Sequence, residues 1–245
     1  MHKLSTFSLH DMMDLRGQLR SLLESEASTI EEAASRAVGL FRSELLDGEG
    51  RPAFALARVY KTHRFLELDE ELQAYARMLE PAADSLPDLR CLVLLATAGD
   101  EPAWNDRRLS SGHRAIPLSS EAAVEKAPMI ASLIKQLDLD VATVLRPGRD
   151  LFLDAGETNH NVFYVPEALG SPFIVAQEEF VKPYAIRSVI GFGGMVATGD
   201  LFAGVLFSKV HVPADVADLF RVLGLNFKLA MLPVARKPLF SARPR

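Results

Sequence analysis

The stretch IRSVIGFGGMVATGDLFAGVLFSK, residues 186–209, decides the fold. Two runs rich in β-branched and aromatic residues, 186–195 and 201–209, are split by Ala197, Thr198, Gly199 and Asp200. Gly-Asp supplies turn chemistry, and so short a connection cannot make a parallel crossover, which needs about a dozen residues. The two runs are therefore predicted to be antiparallel hairpin partners. Gly191-Phe192-Gly193-Gly194 is as glycine-rich as a phosphate loop, yet no helix follows it to present its N-terminus to a phosphate. A bulge or a close backbone approach accounts for it better. Arg187, Asp200 and Lys209 exclude a membrane span here.

Downstream, Pro213 stands in the first turn of a predicted helix whose apolar stripe is Val216, Leu219, Phe220, Leu223, Phe227 and Ala230. Pro233 ends it, and Pro238 keeps the tail from resuming it. Upstream lie a short helix around 175–184 and strand candidates at 161–165 and 141–145, parted by the turn-rich segment 147–159. Before them come a helix that Pro128 interrupts or restarts, the short apolar piece 116–118, and a polar, irregular stretch, 99–115. The almost continuous apolar run 89–97 reads as a central strand and 53–60 as another, with a helix marked by Leu68, Leu72, Tyr75, Ala76 and Leu79 between them. Two amphipathic helices open the chain. The first spans 8–24, with Leu9, Met12, Met13, Leu19, Leu22 and Leu23 on one side. The second starts at the capping-box pair Ser28 and Glu31, buries Ile30, Ala33, Ala34, Ala37, Val38, Phe41 and Leu45, and stops at Asp47-Gly48. Strands paired by hairpins, with helices before and after, indicate an α+β fold on an antiparallel sheet rather than a doubly wound parallel one. No boundary composition, repeat or linker divides the chain.

Composition narrows the function classes. With 49% hydrophobic and 24% charged residues, the 245-residue chain is globular. A net charge of −5 argues against nucleic acid as a partner, and the only basic cluster is the tail's Arg236, Lys237, Arg243 and Arg245. The single cysteine, Cys91, lies in the apolar run 89–97 and reads as a buried structural thiol; one sulfur makes no disulfide and no thiolate metal site. The first residues lack the apolar core of a signal peptide, so a cytoplasmic protein without a membrane partner is expected.

Catalytic motifs are missing: HExxH, CxxC, the P-loop and GxSxG are all absent. No two of the six histidines stand at i,i+3 or i,i+4, so no helical metal pair is expected. His113 and His160 are loop histidines that could bond a ligand or ligate haem, or simply bond backbone. Arg187 opens an apolar strand and, if buried, needs a carboxylate or a ligand anion; Glu178 and Glu179 are near in sequence. Trp104 offers a stacking face with one polar handle, suited to a pocket wall or to plain core.

The capped helix 28–46, the strands 53–60 and 91–98, the hairpin AIRSVI…GDLFAGVL and the helix 217–230 together resemble a GAF domain. The resemblance covers 28–232, leaving 1–27 as an N-terminal amphipathic helix and 233–245 as a basic tail. It implies an antiparallel sheet of about five or six strands flanked by helices, its second face roofed by the long central insert. The middle, with AGDEPAWN, GHRAIPL and NVFYVPEALGSP, resembles input segments of bacterial sensor histidine kinases and diguanylate cyclases. The resemblance implies a non-catalytic sensor that holds a small molecule under the insert and signals through its terminal helices to an output kinase or cyclase, as a homodimer. The identity of ligand or cofactor stays open. Methionine-sulfoxide-reducing relatives need several cysteines. The polar lining is expected from Trp104, Asn105, His113, Asn161, Tyr164, Gln177 and Arg187, because placed polar groups on irregular segments concentrate there. Two alternatives remain: an enzyme using His113, Asp106 or Glu178 as acid and base, and an interaction module with a vestigial pocket.

Overall fold

The structure, a computed structural model, describes residues 1–24, 27–147, 161–196 and 198–241. The chain opens with β1 (His2–Lys3), α1 (Leu9–Glu24), α2 (Ile30–Glu44), β2 (Leu45–Leu46) and β3 (Phe54–Arg64). Then come α3 (Glu70–Leu79), β4 (Arg90–Gly99), β5 (Ala115–Leu118), α4 (Glu121–Glu125), α5 (Pro128–Gln136) and α6 (Val141–Leu145). β6 (Val162–Val165), β7 (Ser188–Met195), β8 (Leu201–Ser208) and α7 (Ala214–Met231) complete it. β3 to β8 form one antiparallel sheet of six strands in the order β5-β4-β3-β8-β7-β6, while β1 and β2 make a separate parallel pair.

The predicted hairpin is present, in register from Ser188↔Ser208 to Met195↔Leu201. Its turn is closed by the Gly199 N–H on the Val196 carbonyl and the Val196 N–H on the Asp200 carbonyl, both at 2.8 Å. Gly199 has φ +77°, which glycine adopts without cost. Ala197 lies outside the described residues. The glycine-rich run is a close approach of backbones: a Cβ on Gly193 would stand 2.1 Å from the Phe202 carbonyl oxygen.

The sheet has two unlike faces. On one, α1, α2 and α7 pack an apolar core with Phe192 at its centre. The Phe192 ring lies 5.5 Å from Phe41 of α2 and 5.6 Å from Phe227 of α7, edge to face in both cases. Met12 and Leu19 of the predicted stripe, and Leu15 beside them, are buried in this core, whereas Leu9 and Met13 stay exposed. α3 packs a smaller apolar cluster with Cys91, Val93 and Ala115. The opposite face lies under the insert: α4, α5, α6 and the segment before β7.

Several local expectations are corrected. The predicted strand at 141–145 is helix α6. Its β-branched residues suggested a strand, but Asp140 caps it by accepting from the Thr143 N–H at 2.9 Å and the Thr143 hydroxyl at 3.0 Å. The cap of α2 is displaced by one residue from Ser28. Thr29 accepts from the Glu32 N–H at 3.1 Å, and the Glu32 carboxylate reaches back to the Ser28 N–H at 2.8 Å. α2 ends at Glu44, before Asp47-Gly48; Asp47 closes the next turn, accepting from the N–H groups of Glu49 and Arg51. Pro128 begins α5 as expected, whereas Pro213 is the N-cap of α7 and not part of its first turn. The helix expected at 175–184 is a single π-helical turn, Gln177–Val181.

The tail folds back on the body. The carbonyls of Pro238 and Leu239 accept the first N–H groups of α2, from Ile30 at 3.1 Å and Glu31 at 2.9 Å. Arg107 lies 3.4 Å over the Phe240 ring and pairs with Glu31 at 2.7 Å. Among the described residues no helix is long and apolar enough to cross a membrane.

Candidate functional site

Alternation along the strands decides what lines the insert-facing side. β8 contributes Leu201, Ala203, Val205 and Phe207; β3 contributes Leu56 and Tyr60; β4 contributes Leu92 and Leu94. Val124, Leu133, Ile134, Val144 and Ile174 seal much of it from above. At one end the insert supplies aromatic rings instead. Trp104 lies 4.5 Å from Tyr184 and 5.6 Å from Phe180, and Phe180 stands edge-on to Phe207 of the sheet at 4.9 Å. Trp104, Phe180 and Tyr184 are half-buried. Trp104 is seated by Gly99, where a Cβ would come within 2.6 Å of its ring.

Beside this wall the sheet face turns polar. Arg58 of the central strand β3 is opposite Thr97 on β4 and Val205 on β8, so all three side chains share the insert-facing side. Arg58 Nη2 donates to Ser110 Oγ at 3.1 Å, and Nη1 is 3.4 Å from the Tyr60 hydroxyl. Arg58 Nε and Thr97 Oγ1 are buried without a hydrogen-bond partner, and Thr97 is only 7% exposed. Among the described residues no carboxylate pairs with Arg58. Arg58 was legible as an anomaly, an arginine inside the apolar run 53–60, on the same reasoning that singled out Arg187. Thr97 and Ser110 carried no signal without the strand pairing.

The structure distributes the seven predicted residues. Trp104 belongs to the aromatic wall. Asn105 staples its own loop: Oδ1 accepts the Gly99 N–H at 3.0 Å, and Nδ2 donates to the carbonyls of Gly99 and Glu101. Gln177 does the same for the π-helical turn, bridging Gly170, Ala168 and Ile174. Tyr164 packs with the helical-face core; its hydroxyl donates to the Val212 carbonyl and its N–H to Gln136 Oε1 at 2.8 Å. Asn161 is half-buried just before β6. His113 is exposed at φ +62°, its N–H donating to the Tyr75 hydroxyl of α3 at 2.9 Å. Arg187 is exposed, and Glu178 pairs with Lys182 rather than with it. These contacts do not gather the seven on one wall. His160 lies outside the described residues. Asp106 is clamped by Arg108 at 2.6 Å, so Asp106, Glu178 and His113 each face different neighbours.

A second polar cluster closes the far end of the sheet. Asp200 pairs with Lys61 at 2.7 Å and Arg90 at 2.9 Å and accepts from the Thr198 hydroxyl at 2.7 Å. Thr62 Oγ1 accepts from Arg90 at 3.2 Å and from the Leu201 N–H at 2.9 Å. Burial alone would raise the Asp200 carboxyl; Lys61 and Arg90 outweigh it and hold the group below the usual carboxylate range. Burial lowers Lys61 against the pull of Asp200, and it lowers His63, 3.4 Å from the Lys61 amine. Next to Arg90, burial pushes the Cys91 thiol up to about 12. Two surface clefts lie elsewhere. One, about 620 Å³, is lined by His63, Glu67, Glu70 and Phe240; the other, about 510 Å³, by Leu89, Ser120, Glu121 and Arg146.

No protein-family model matches this chain, and no curated protein sequence matches it. Solved structures do. Free methionine-R-sulfoxide reductase from Neisseria meningitidis, in complex with its substrate, superimposes with a TM-score of 0.51. Identity is 11%, over 96% of this chain and 95% of that one. The GAF domain of a phosphoenolpyruvate-protein phosphotransferase from Coxiella burnetii gives 0.49 at 10% identity, over 93% and 96%. Its counterpart from Acinetobacter gives 0.44 at 11%, over 93% and 96%. At such identities the likeness is one of fold. The chain has a GAF-like fold, α+β, with helices on both sides of a six-stranded antiparallel sheet.

Proposed function

We propose that this domain is a non-catalytic sensory module of cytoplasmic bacterial signalling, holding a small molecule against the insert-facing side of its sheet. The observation that carries the reading is the half-buried trio Trp104, Phe180 and Tyr184, standing beside the incompletely hydrogen-bonded Arg58 and Thr97 in an otherwise apolar face. The Neisseria reductase was seen with its substrate, which supports this fold as a small-molecule holder. Chemistry that needs several thiols has no counterpart here, because Cys91 is the one cysteine and its thiol is fully buried. A shift on the insert side would reach α2 and α7 through Phe192, and from there an output kinase or cyclase. Leu9 and Met13 of α1 stay 63% and 49% exposed, a surface that fits a second copy of the chain.

Trp104 is the sole tryptophan, so its emission reports on this site alone. A metabolite collection screened by thermal shift should yield ligands that raise Tm and also change Trp104 emission. Ligands that raise Tm without any change in that emission would move the site elsewhere and overturn the reading. Sedimentation at micromolar concentration should show a dimer; a 26.9 kDa species alone would refute it there.

A further inference from the structure

Resting on that sensory reading, we infer that the ligand is a small organic acid whose carboxylate sits between Arg58 and Thr97 and whose flat or apolar body lies along the Trp104–Tyr184–Phe180 wall. Arg58 stands at the centre of the sheet, on the strand flanked by β4 and β8. A guanidinium placed there loses much of its water, and a chain that needed it for structure would supply a carboxylate, as Asp200 does for Arg90. None does so for Arg58 among the described residues. Its Nε and the Thr97 hydroxyl are two buried, unsatisfied groups on directly opposite residues, a pair that a single acceptor group can reach together. One fixed positive charge and one hydroxyl match a monoanion, and the planar fork of arginine fits a carboxylate. The distance to the aromatic wall is also suitable. Phe207, which carries Phe180, is two residues along β8 from Val205, the neighbour of Arg58. Same-face residues so spaced are roughly 7 Å apart, the length of a small aryl or alkyl acid.

Benzoate, phenylacetate and hexanoate, each against its primary amide, and phenyl phosphate serve as probes, followed by calorimetry and Trp104 emission. At least one acid should bind, with its amide and phenyl phosphate ten-fold weaker or worse. Arg58→Gln should weaken that acid at least ten-fold, and Thr97→Val three- to ten-fold. Without ligand, Arg58→Met and Thr97→Val should melt at or above the wild-type Tm, because each removes an unsatisfied buried group. Failure of every acid to bind, or equal binding of acid and amide, overturns the inference, as does an Arg58→Gln protein that keeps its affinity. A variant Tm several degrees lower would make Arg58 a structural prop and overturn it too. If amides quench Trp104 equally in wild type and Arg58→Gln, the sensory reading survives and only the carboxylate seat falls.

Discussion

Two arginines on adjacent strands of one sheet live under opposite conditions. Arg90 meets Asp200, Thr62 and the Gly199 carbonyl, and the same carboxylate also holds Lys61. Arg58 meets one serine at good distance and leaves its Nε unpaired. The first cluster is closed, with almost every polar atom answered inside the protein; the second leaves Arg58 Nε and the Thr97 hydroxyl buried and unanswered. Since burying an unanswered group costs about 1–3 kcal/mol, the second cluster carries a cost that the first avoids.

The harshest way to break that contrast is to open the closed cluster. Asp200→Ala leaves Lys61 and Arg90 buried without a counter-charge and should cost about 3–5 kcal/mol in urea unfolding. A loss below about 1 kcal/mol would mean that water already answers these cations. Thr62→Val removes the acceptor shared by Arg90 and the Leu201 N–H and should cost about 1–3 kcal/mol by the same measurement.

Acid should open the cluster in two stages. His63 has a folded value below its ordinary one, because burial and Lys61 disfavour its charge. Its stabilisation is therefore complete above about pH 6.5 and fades as pH falls through the folded value. Asp200 follows the depressed-carboxylate rule: its share is complete above the unfolded value, near pH 4, and is lost as pH falls through the lower folded value. The urea midpoint should fall from pH 7 towards pH 5, and His63→Asn should lessen that first stage without abolishing it, because burial and Arg58 hold His113 below its ordinary value too. An unchanged slope in His63→Asn would place the acid sensitivity elsewhere. The smallest effect is a contrast in labelling. Native Cys91 should stay unreactive towards a disulfide reagent at pH 8, and Asp200→Ala should react measurably faster because the strand end beside the thiol loosens. Equal rates would show that the cluster does not guard it.

The sequence made the closed half of the molecule far more legible than the open half. The hairpin could be read because Gly199-Asp200 is turn chemistry between two apolar runs, and the three packing helices because their stripes repeat at helical spacing. Cys91 was readable as core because all but Arg90 of its near neighbours in the strand are apolar. α6 was misread because Val141, Thr143 and Val144 favour strands in isolation, while a one-residue cap at Asp140 decided the matter. Asn105 and Gln177 were chosen as polar side chains on irregular segments, but such segments need stapling, and both are staples. Arg58 and Thr97 lie 39 positions apart and meet only through the register of β3 on β4, which shifts at a bulge between Val59 and Tyr60. No periodicity in either strand encodes that shift.

The strand order also constrains how the chain is made. β3 sits at the middle of the sheet, yet its partner β8 is, among the described residues, the last strand to be synthesised: Lys61 must wait for Phe202. On a ribosome adding about 5–20 residues each second, that is a delay on the order of ten seconds. Through that interval one edge of an eleven-residue strand, apolar mainly in its first half, stays open to pairing with any neighbouring chain. Lys61 and Arg58, charges set within that strand, are the kind of residue that keeps a nascent edge from sticking to its copies. Arg58 would thus serve first as a guard on the polysome, and Arg58→Met should show in soluble yield while its Tm stays at or above the wild-type value.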